Sequence, residues 1–161
     1  MKRLLFLSIL LLSIISCISS KSAKNQNKFV ESINSVIVQV NKLPGGDFEF
    51  IVENKTNQSI FIHNYYQVHV DRKVGDNWEK IRILNCPCGA PCARPEEYVE
   101  IQKENNFSIK WNLEESWCGE KNEIGVQETL STKVGPGLYR IMVVYSFDKT
   151  DKTPIYQVFN I

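Results

Sequence analysis

Four cysteines carry most of the chemistry that this sequence could perform. Cys86, Cys88 and Cys92 lie in the proline-rich segment CPCGAPC, and Cys118 follows later in the chain. Cysteine side chains at such positions form disulfides, act as redox centres or bind soft metal ions. The choice among these chemistries depends on the compartment in which the chain resides, because oxidising compartments favour disulfides.

The spacing of these cysteines argues against two of the three chemistries. Structural zinc sites usually contain two Cys-x2–4-Cys pairs, whereas Cys118 has no partner close to it in the sequence. A redox centre typically uses Cys-x-x-Cys at a helix start, and that motif is absent. We therefore predict no metal and no cofactor, and keep soft-metal binding through all four cysteines as a third alternative.

The N-terminal segment MKRLLFLSILLLSIISC has the pattern of an export signal. Two basic residues precede an apolar run from Leu4 to Ile15, which is shorter than the roughly 20 residues that cross a bilayer. The end of the segment, Ile14-Ile15-Ser16-Cys17, resembles the lipobox of bacterial lipoproteins. The resemblance implies that residues 1–16 are a cleaved signal peptide and that Cys17 is the lipid attachment site.

Membrane anchoring and an envelope location follow from this resemblance. Ile18 replaces the Asp that retains many lipoproteins in the inner membrane, so the resemblance implies an outer-membrane location facing the periplasm. Residues 17–28 comprise the lipidated cysteine and a polar stretch of low hydrophobicity, which is typical of a flexible tether. The folded domain is then expected over residues 29–161.

Export places the remaining cysteines in an oxidising compartment, where an even number of them favours disulfides. Cys86, Cys88, Cys92 and Cys118 are thus disulfide candidates with three possible pairings. A direct Cys86–Cys88 bridge is the least favourable, because so short a ring strains the disulfide. Two arrangements remain open: Cys118 pairs with either Cys86 or Cys88, and Cys92 pairs with the other.

From Phe29 onward, apolar residues recur with a period of two. Val36, Val38 and Val40 alternate with their neighbours, as do Phe48, Phe50 and Val52 in DFEFIVEN. Turn-forming segments such as NKTNQS and GDN separate these runs, and no helical period is present. The pattern predicts an all-β fold, a single antiparallel β-sandwich of about seven to nine strands.

Three segments resemble the immunoglobulin-like domains of bacterial proteins. FEFIVENKTNQSIFI is similar to their strand–turn–strand unit, DRKVGDNWEKI to the next hairpin, and VGPGLYRIMVVYSF to the entry into a late strand. A similar arrangement occurs in bacterial proteinase-inhibitor-like domains. The resemblance covers most of residues 45–148 and implies an immunoglobulin-like β-sandwich, while it carries little information about function.

Charge and side-chain composition exclude several function classes. The 19 basic residues nearly balance the 18 acidic ones, and removal of Lys2 and Arg3 leaves 17 basic residues, so nucleic acid is not an expected partner. The two histidines, His63 and His69, lack an evident third ligand and are expected to be partly exposed or bonded to a loop. The sequence also contains no Gly-x-Ser-x-Gly motif, no His-Glu-x-x-His motif and no phosphate-binding glycine loop, so we do not expect an enzyme.

Other acidic and aromatic residues are expected to be structural. Two acidic pairs are interpreted as solvated turns, and three tryptophans are interpreted as core or rim residues. These residues are Glu96–Glu97, Glu114–Glu115, Trp78, Trp111 and Trp117.

The remaining prediction is a non-enzymatic, membrane-anchored domain that binds an unknown envelope protein. Loops on a rigid sandwich carry function more often than its strands, so the loops 85–96 and 119–136 are the expected contact surface. A proteinase-inhibitor-like module is the alternative, because a loop constrained by disulfides loses little entropy on binding.

Overall fold

A computed structural model describes residues 35–93 and 95–161 of the chain. The predicted signal peptide 1–16, the lipid attachment site Cys17 and the tether 17–28 lie outside the described residues. Their assignments therefore remain predictions.

The described residues form eleven β-strands and no helix, and every strand pair is antiparallel. The strands are β1 Val36–Lys42, β2 Phe48–Asn54, β3 Ile60–His63, β4 Val70–Val74, β5 Asn77–Lys80, β6 Tyr98–Ile101, β7 Asn106–Trp111, β8 Glu114–Lys121, β9 Gln127–Lys133, β10 Leu138–Ser146 and β11 Thr153–Asn160. The predicted all-β, antiparallel class is confirmed. Within this described part of the chain, no helix has the length and apolar character needed to cross a membrane.

The strands are arranged in three sheets. The first has the order β1-β2-β7, and the second has the order β5-β4-β10-β3-β6 with β11 on the other edge of β10. Strand β10 is long enough to pair with β4 through its first half and with β3 through its second half. Strands β8 and β9 form a separate two-stranded sheet.

The core lies between the first and second sheets. Phe48 and Phe50 of β2 are buried and both contact the ring of Phe159 in β11. Trp111 at the end of β7 packs against Tyr139 of β10. These contacts bring together the apolar faces that the period-two pattern predicted, and the two sheets form a β-sandwich.

The turn between β2 and β3 is organised by the buried side chain of Asn54. Its amide nitrogen donates to the carbonyls of Gln58 and Ile101, at 2.8 and 3.0 Å. Its amide oxygen accepts from the backbone N–H and the hydroxyl of Thr56, at 3.0 and 2.6 Å. All four hydrogen-bonding positions of the amide are thus used, which explains why this turn combines asparagine and threonine at this spacing.

The entry into β10 is fixed by a second side-chain bond. Tyr139 is buried, and its hydroxyl donates to the carbonyl of Gly135 at 2.6 Å. The polypeptide between these residues contains Pro136 and Gly137 and forms the corner that precedes the strand. The segment VGPGLYR therefore encodes a corner as well as the start of a strand.

One segment differs from the sequence prediction. The loop expected at residues 119–136 contains the end of β8 and all of β9, so it is mainly a β-hairpin. The hairpin was not predicted because every residue of β9 is exposed, and an exposed strand has no apolar alternation. The described residues consequently contain eleven strands, more than the seven to nine that the sequence predicts.

Candidate functional site

The four cysteines link the cysteine-rich loop to the β8–β9 hairpin. Cys86 is bonded to Cys92 and Cys88 to Cys118, with Cα–Cα distances of 6.1 and 5.6 Å. This is one of the two arrangements that the sequence left open. We call residues 85–93 together with residues 114–133 the disulfide-linked surface.

Non-covalent contacts also hold the loop against the hairpin. The backbone N–H of Cys88 donates to Thr129 Oγ1 of β9 at 2.7 Å. Gly89 has a positive φ of 74°, and a Cβ atom at this position would lie 2.8 Å from Val126 Cγ1. Glycine is favoured here, because another residue would be strained at this φ and its Cβ would displace the Val126 side chain. The loop therefore has a defined position on β9.

The hairpin is joined to the sandwich by the segment that follows β5. The backbone N–H of Ser116 donates to the carbonyl of Arg82 at 2.7 Å, and Ser116 Oγ accepts from the N–H of Leu84 at 2.8 Å. The Arg82 guanidinium bonds Glu115 at 2.8 Å and lies 4.7 Å from the centre of the Trp117 ring. These contacts attach β8 to the larger body of the domain.

The pair Glu114–Glu115 was expected in a solvated turn, and that expectation is wrong. Both residues belong to β8 and are partly buried. Glu115 pairs with Arg82, and Glu114 pairs with Lys133 at 3.4 Å. The two glutamates thus connect β8 with the segment that follows β5 and with β9.

Asn122 fixes the tip of the hairpin. Its side-chain oxygen accepts from the N–H groups of Ile124 and Val126, at 3.2 and 2.9 Å. Its backbone carbonyl accepts from Gly125, and its N–H donates to Val126, each at 2.9 Å. Four hydrogen bonds of Asn122 thus organise the turn from within the hairpin.

This hydrogen-bonded tip carries exposed apolar side chains. Ile124 is 82% exposed, Val126 is 43% exposed, and Leu130 on β9 is 37% exposed. The acidic residues Glu123 and Glu128 are also exposed close to them in the sequence. The sequence predicts this region as a contact surface but does not single out these side chains. The local signal for an exposed apolar tip is the pair of turn formers Asn122 and Gly125, which flank Ile124 in an otherwise polar segment.

The disulfides bear on the soft-metal alternative. Metal ligation requires thiolates, and each of the four cysteines is held in a disulfide. Across residues 35–93 and 95–161, no group of three or more His, Cys, Asp or Glu side chains is arranged to hold a metal ion. Soft-metal binding through these cysteines would require both bridges to be reduced first.

His63 differs from its expected exposure. It is only 3% exposed, and its Nε2 lies 2.8 Å from the hydroxyl of buried Ser146. Its Nδ1 is buried and has no hydrogen-bond partner among the residues that the structure describes. Burial lowers the pKa of His63, Lys152 lowers it further, and Glu97 acts in the opposite direction. His63 is thus a core residue, because β3 lies between β10 and β6 in its sheet and not at an edge.

His69 precedes β4 and is partly buried. Burial lowers its pKa, Lys80 adds to that effect, and Asp71 opposes it. Within the described residues, no hydrogen bond or ring contact joins His69 to His63, so the proximity that the strand pattern allowed is not realised as a shared site.

The three tryptophans occupy different environments. Trp111 is a core residue, as expected. Trp78 is partly exposed and lies 4.6 Å from the Arg140 guanidinium, and Trp117 is stacked with Arg82 beside Cys118. Trp117 is therefore part of the disulfide-linked surface, although its ring is already covered by arginine.

The remaining acidic pair lies at the end of the cysteine-rich loop. Glu96 and Glu97 are exposed, and Glu97 pairs with Lys152 at 3.0 Å. This pair is solvated, as the sequence predicted.

Comparison with known proteins adds no family assignment. A scan against protein-family models finds no match, and no curated protein matches the chain.

Proposed function

We propose that the chain is a non-enzymatic, lipid-anchored domain of the bacterial envelope that binds a partner protein through its disulfide-linked surface. The observation that carries this proposal is the hydrogen-bonded hairpin tip, which holds Ile124 at 82% exposure beside Val126. Interfaces are dominated by a few apolar anchors that enter pockets on the partner, and an ordered anchor loses little entropy on binding.

Two features support the rigidity that such a surface needs. The bridges connect residues that are 6 and 30 positions apart, so they constrain the cysteine-rich loop both internally and against β8. The bond from Cys88 to Thr129 and the close approach of Gly89 to Val126 add local contacts. The surface is therefore assembled before any partner arrives.

The proposed location rests on the N-terminal segment and on the cysteines. The lipobox resemblance at Ile14–Cys17 supports lipid attachment at Cys17 and retention at the outer membrane, facing the periplasm. The pairing of all four other cysteines is consistent with an oxidising compartment, because structural disulfides are rare in the cytosol.

We also propose that the sandwich is immunoglobulin-like. Tyr139 at the start of β10 bonds the backbone four residues upstream, which is the geometry of the tyrosine corner found in such domains. The β2–β3 turn built on Asn54 corresponds to the strand–turn–strand segment on which the resemblance rests.

Site-specific photo-crosslinking in intact cells tests the proposed contact. A photoreactive residue at position 124 is expected to form a discrete adduct, whereas the same residue at exposed Asn57, outside the surface, is not. The adduct partner should then bind the purified chain, and Ile124→Asp should weaken that binding at least tenfold. The control Tyr156→Asp, at an exposed position on β11, should leave it unchanged.

Equal labelling from positions 124 and 57, or unchanged binding by Ile124→Asp, would exclude this surface as the contact. The few residues that dominate an interface each contribute about 2 kcal/mol or more, which is roughly a thirtyfold change in affinity, so the expected effect is measurable.

The proteinase-inhibitor-like alternative is favoured by a separate observation. The Cys86–Cys92 bridge closes a short loop in which Gly89, Ala90 and Pro91 are exposed. Inhibition would appear as loss of proteinase activity at a 1:1 ratio with the adduct partner. Under this alternative, substitution of Ala90 would abolish the inhibition of the proteinase, whereas substitution of Ile124 would not.

A further inference from the structure

Strand β11 is an edge of the second sheet with one open side. It pairs with β10 along its whole length, and β10 pairs with β3 and β4 on its opposite side. Strand β1 of the first sheet lies near β11, but within the described residues no strand pairing or backbone hydrogen bond joins the two. An open edge presents unpaired backbone donors and acceptors, which can pair with a strand of another chain.

The hydrogen bonds just beyond the end of β11 show which of its backbone groups face the open side. Ile161 and Gly137 exchange both of their backbone hydrogen bonds, at 3.0 and 3.3 Å. Because bonding alternates along an antiparallel pair, the odd-numbered residues of β11 bond to β10 and the even-numbered ones point away from it. The N–H and C=O groups of Tyr156, Val158 and Asn160 therefore face outward.

Two further features of β11 agree with this assignment. Pro154 is one of the even-numbered residues, and proline, which has no N–H group, is suited to the free side of an edge strand. The carbonyl of Val158 accepts a hydrogen bond from the side-chain amide of Gln157 at 3.1 Å, as expected for a group that β10 does not use. The open side of β11 is thus a row of backbone groups available to a second strand.

The composition of β11 suits pairing with an identical strand. Self-pairing brings the like charges of two copies onto one short ladder, and charged residues commonly protect edge strands from it. The sequence of β11, TPIYQVFN, contains no charged residue. Each other edge strand in the described part of the chain contains at least one: Lys42 in β1, Glu79 in β5, Glu100 in β6, Lys110 in β7, Glu114 in β8 and Glu128 in β9. Charge therefore opposes self-pairing at those edges and not at β11.

The exposed side chains of β11 complement one another in one particular register. Tyr156 is 48% exposed and Val158 is 45% exposed, and both lie on the face of the sheet opposite to buried Phe159. When two copies pair antiparallel about a two-fold axis at Gln157, Tyr156 of each copy stands opposite Val158 of the other. Aromatic and β-branched residues form favourable cross-strand pairs. In this register the two residues also exchange their outward backbone hydrogen bonds.

The ring of Tyr156 is already held in place by Arg140. The Arg140 guanidinium lies 4.5 Å from the centre of the Tyr156 ring and 4.6 Å from that of Trp78. It is fixed in turn by a 2.7 Å bond to the Asp71 carboxylate. An ordered ring loses little side-chain entropy when a second copy packs against it.

We propose that β11 pairs antiparallel with β11 of a second copy of this chain, with Gln157 at the two-fold axis. The second sheet then continues across the dimer, and the Tyr156–Val158 contact forms twice. The contact uses no residue of the disulfide-linked surface and does not depend on a partner protein. The two proposals are therefore tested separately, because Tyr156→Asp removes the dimer contact and leaves the disulfide-linked surface intact.

Cysteine crosslinking of the full chain in its native membrane tests the register. In the proposed pair, Gln157 stands opposite its own copy at a non-hydrogen-bonded position, where the Cα atoms are about 4.5 Å apart. A disulfide spans this distance. Gln157→Cys should therefore form a disulfide-linked dimer. Val158→Cys on the same strand and Glu100→Cys on the edge strand β6 should form at least tenfold less of it.

Hydrogen exchange of the purified full chain detects the pairing without a new cysteine. The outward amides of Tyr156 and Val158 should exchange at least tenfold more slowly when the protein concentration is raised until the dimer predominates in sedimentation. The amide of Gln157, which points toward β10, should not change. Val158→Lys should abolish this concentration dependence, because it places two like charges near the axis. Val74→Lys, at an exposed position of β4, should preserve it.

Three results would overturn the proposal. They are equal dimer yields from cysteines at positions 157 and 158, a chain that stays monomeric at every concentration, and crosslinking of Gln157→Cys to a different protein in place of the dimer. The last result would assign the open side of β11 to a strand of that other protein.

Discussion

The backbone N–H of Cys88 and the hydroxyl of Thr129 form a 2.7 Å hydrogen bond that joins the cysteine-rich loop to β9. Cys118, the disulfide partner of Cys88, is directly opposite Thr129 in the β8–β9 register. Covalent and hydrogen-bonded links therefore meet at one point of the hairpin. The position of the loop depends on this junction more than on apolar burial, because most of its residues are exposed.

Thr129→Val should loosen this junction without breaking a disulfide. Valine keeps the shape of threonine but removes the acceptor, so the Cys88 amide loses its partner. We expect at least tenfold faster hydrogen exchange at the Cys88 amide and a loss of about 1 kcal/mol in the free energy of unfolding.

The control for this experiment is Thr132→Val, at another exposed threonine of β9. Its effect should stay within about 0.5 kcal/mol, as for most surface substitutions. Equal exchange rates at Cys88 in the two variants would show that the hydrogen bond does not position the loop.

Removal of the two disulfides should have unequal effects. The Cys88–Cys118 bridge joins residues 30 positions apart, while Cys86–Cys92 joins residues 6 apart. In the chain-entropy treatment, the bridge that closes the longer loop adds about 3.7 kcal/mol to the free energy of unfolding, and the bridge that closes the shorter loop adds about 2.4 kcal/mol. Urea denaturation of the two Cys→Ser double variants measures this difference. A larger loss of stability on removing Cys86–Cys92 than on removing Cys88–Cys118 would contradict the treatment.

Asn54→Ala should be among the most destabilising polar substitutions in the chain. It removes four hydrogen bonds and leaves the Ile101 carbonyl and the Thr56 side chain without this partner. The expected loss in the free energy of unfolding is about 2–4 kcal/mol. Asn57→Ala, in the same turn but exposed, should cost about 0.5 kcal/mol or less. Similar losses in the two variants would mean that the buried network does not organise the turn.

His63 should make stability depend on pH. Its pKa in the folded chain is lowered from 6.5, so the unfolded chain binds the proton first as the pH falls. The contribution of neutral His63 to the free energy of unfolding is fully present above pH 6.5. It is lost as the pH falls from 6.5 through the folded-state pKa. For one group the slope reaches at most about 1.4 kcal/mol per pH unit.

The pKa of His69 is also lowered, so the two histidines must be separated. The variant His69→Gln should retain the part of the pH dependence between pH 7.5 and 5 that His63 causes, and the double variant His63→Phe/His69→Gln should lose most of what remains. Chemical denaturation at each pH provides the measurement. An unchanged slope in the double variant would assign the pH dependence to other groups.

The sandwich could be predicted from the sequence because its strands have one buried face. In β2, Phe48, Phe50 and Val52 are buried while the residues between them are partly exposed, which is the alternation that the sequence displays. The hairpin signal GDN was also sufficient, since Gly75 adopts the positive φ of 55° that the turn between β4 and β5 requires.

The β8–β9 hairpin could not be predicted in the same way. Its stability depends on contacts between distant residues, including the Arg82–Glu115 pair and the Cys88–Cys118 bridge, and neither has a local sequence signal. The burial of His63 was missed for a related reason, since the sequence does not show which strand occupies the middle of a sheet. The choice between the two disulfide arrangements likewise required the register of the loop on β9.

Intact-mass spectrometry of the chain isolated from its native membrane tests the central claim most directly. The account predicts a mature chain that begins at Cys17, carries the mass of acyl chains and has its four other cysteines resistant to alkylation until a reductant is added. A chain that begins at Met1, carries no acyl mass and has alkylatable thiols without reductant would contradict it.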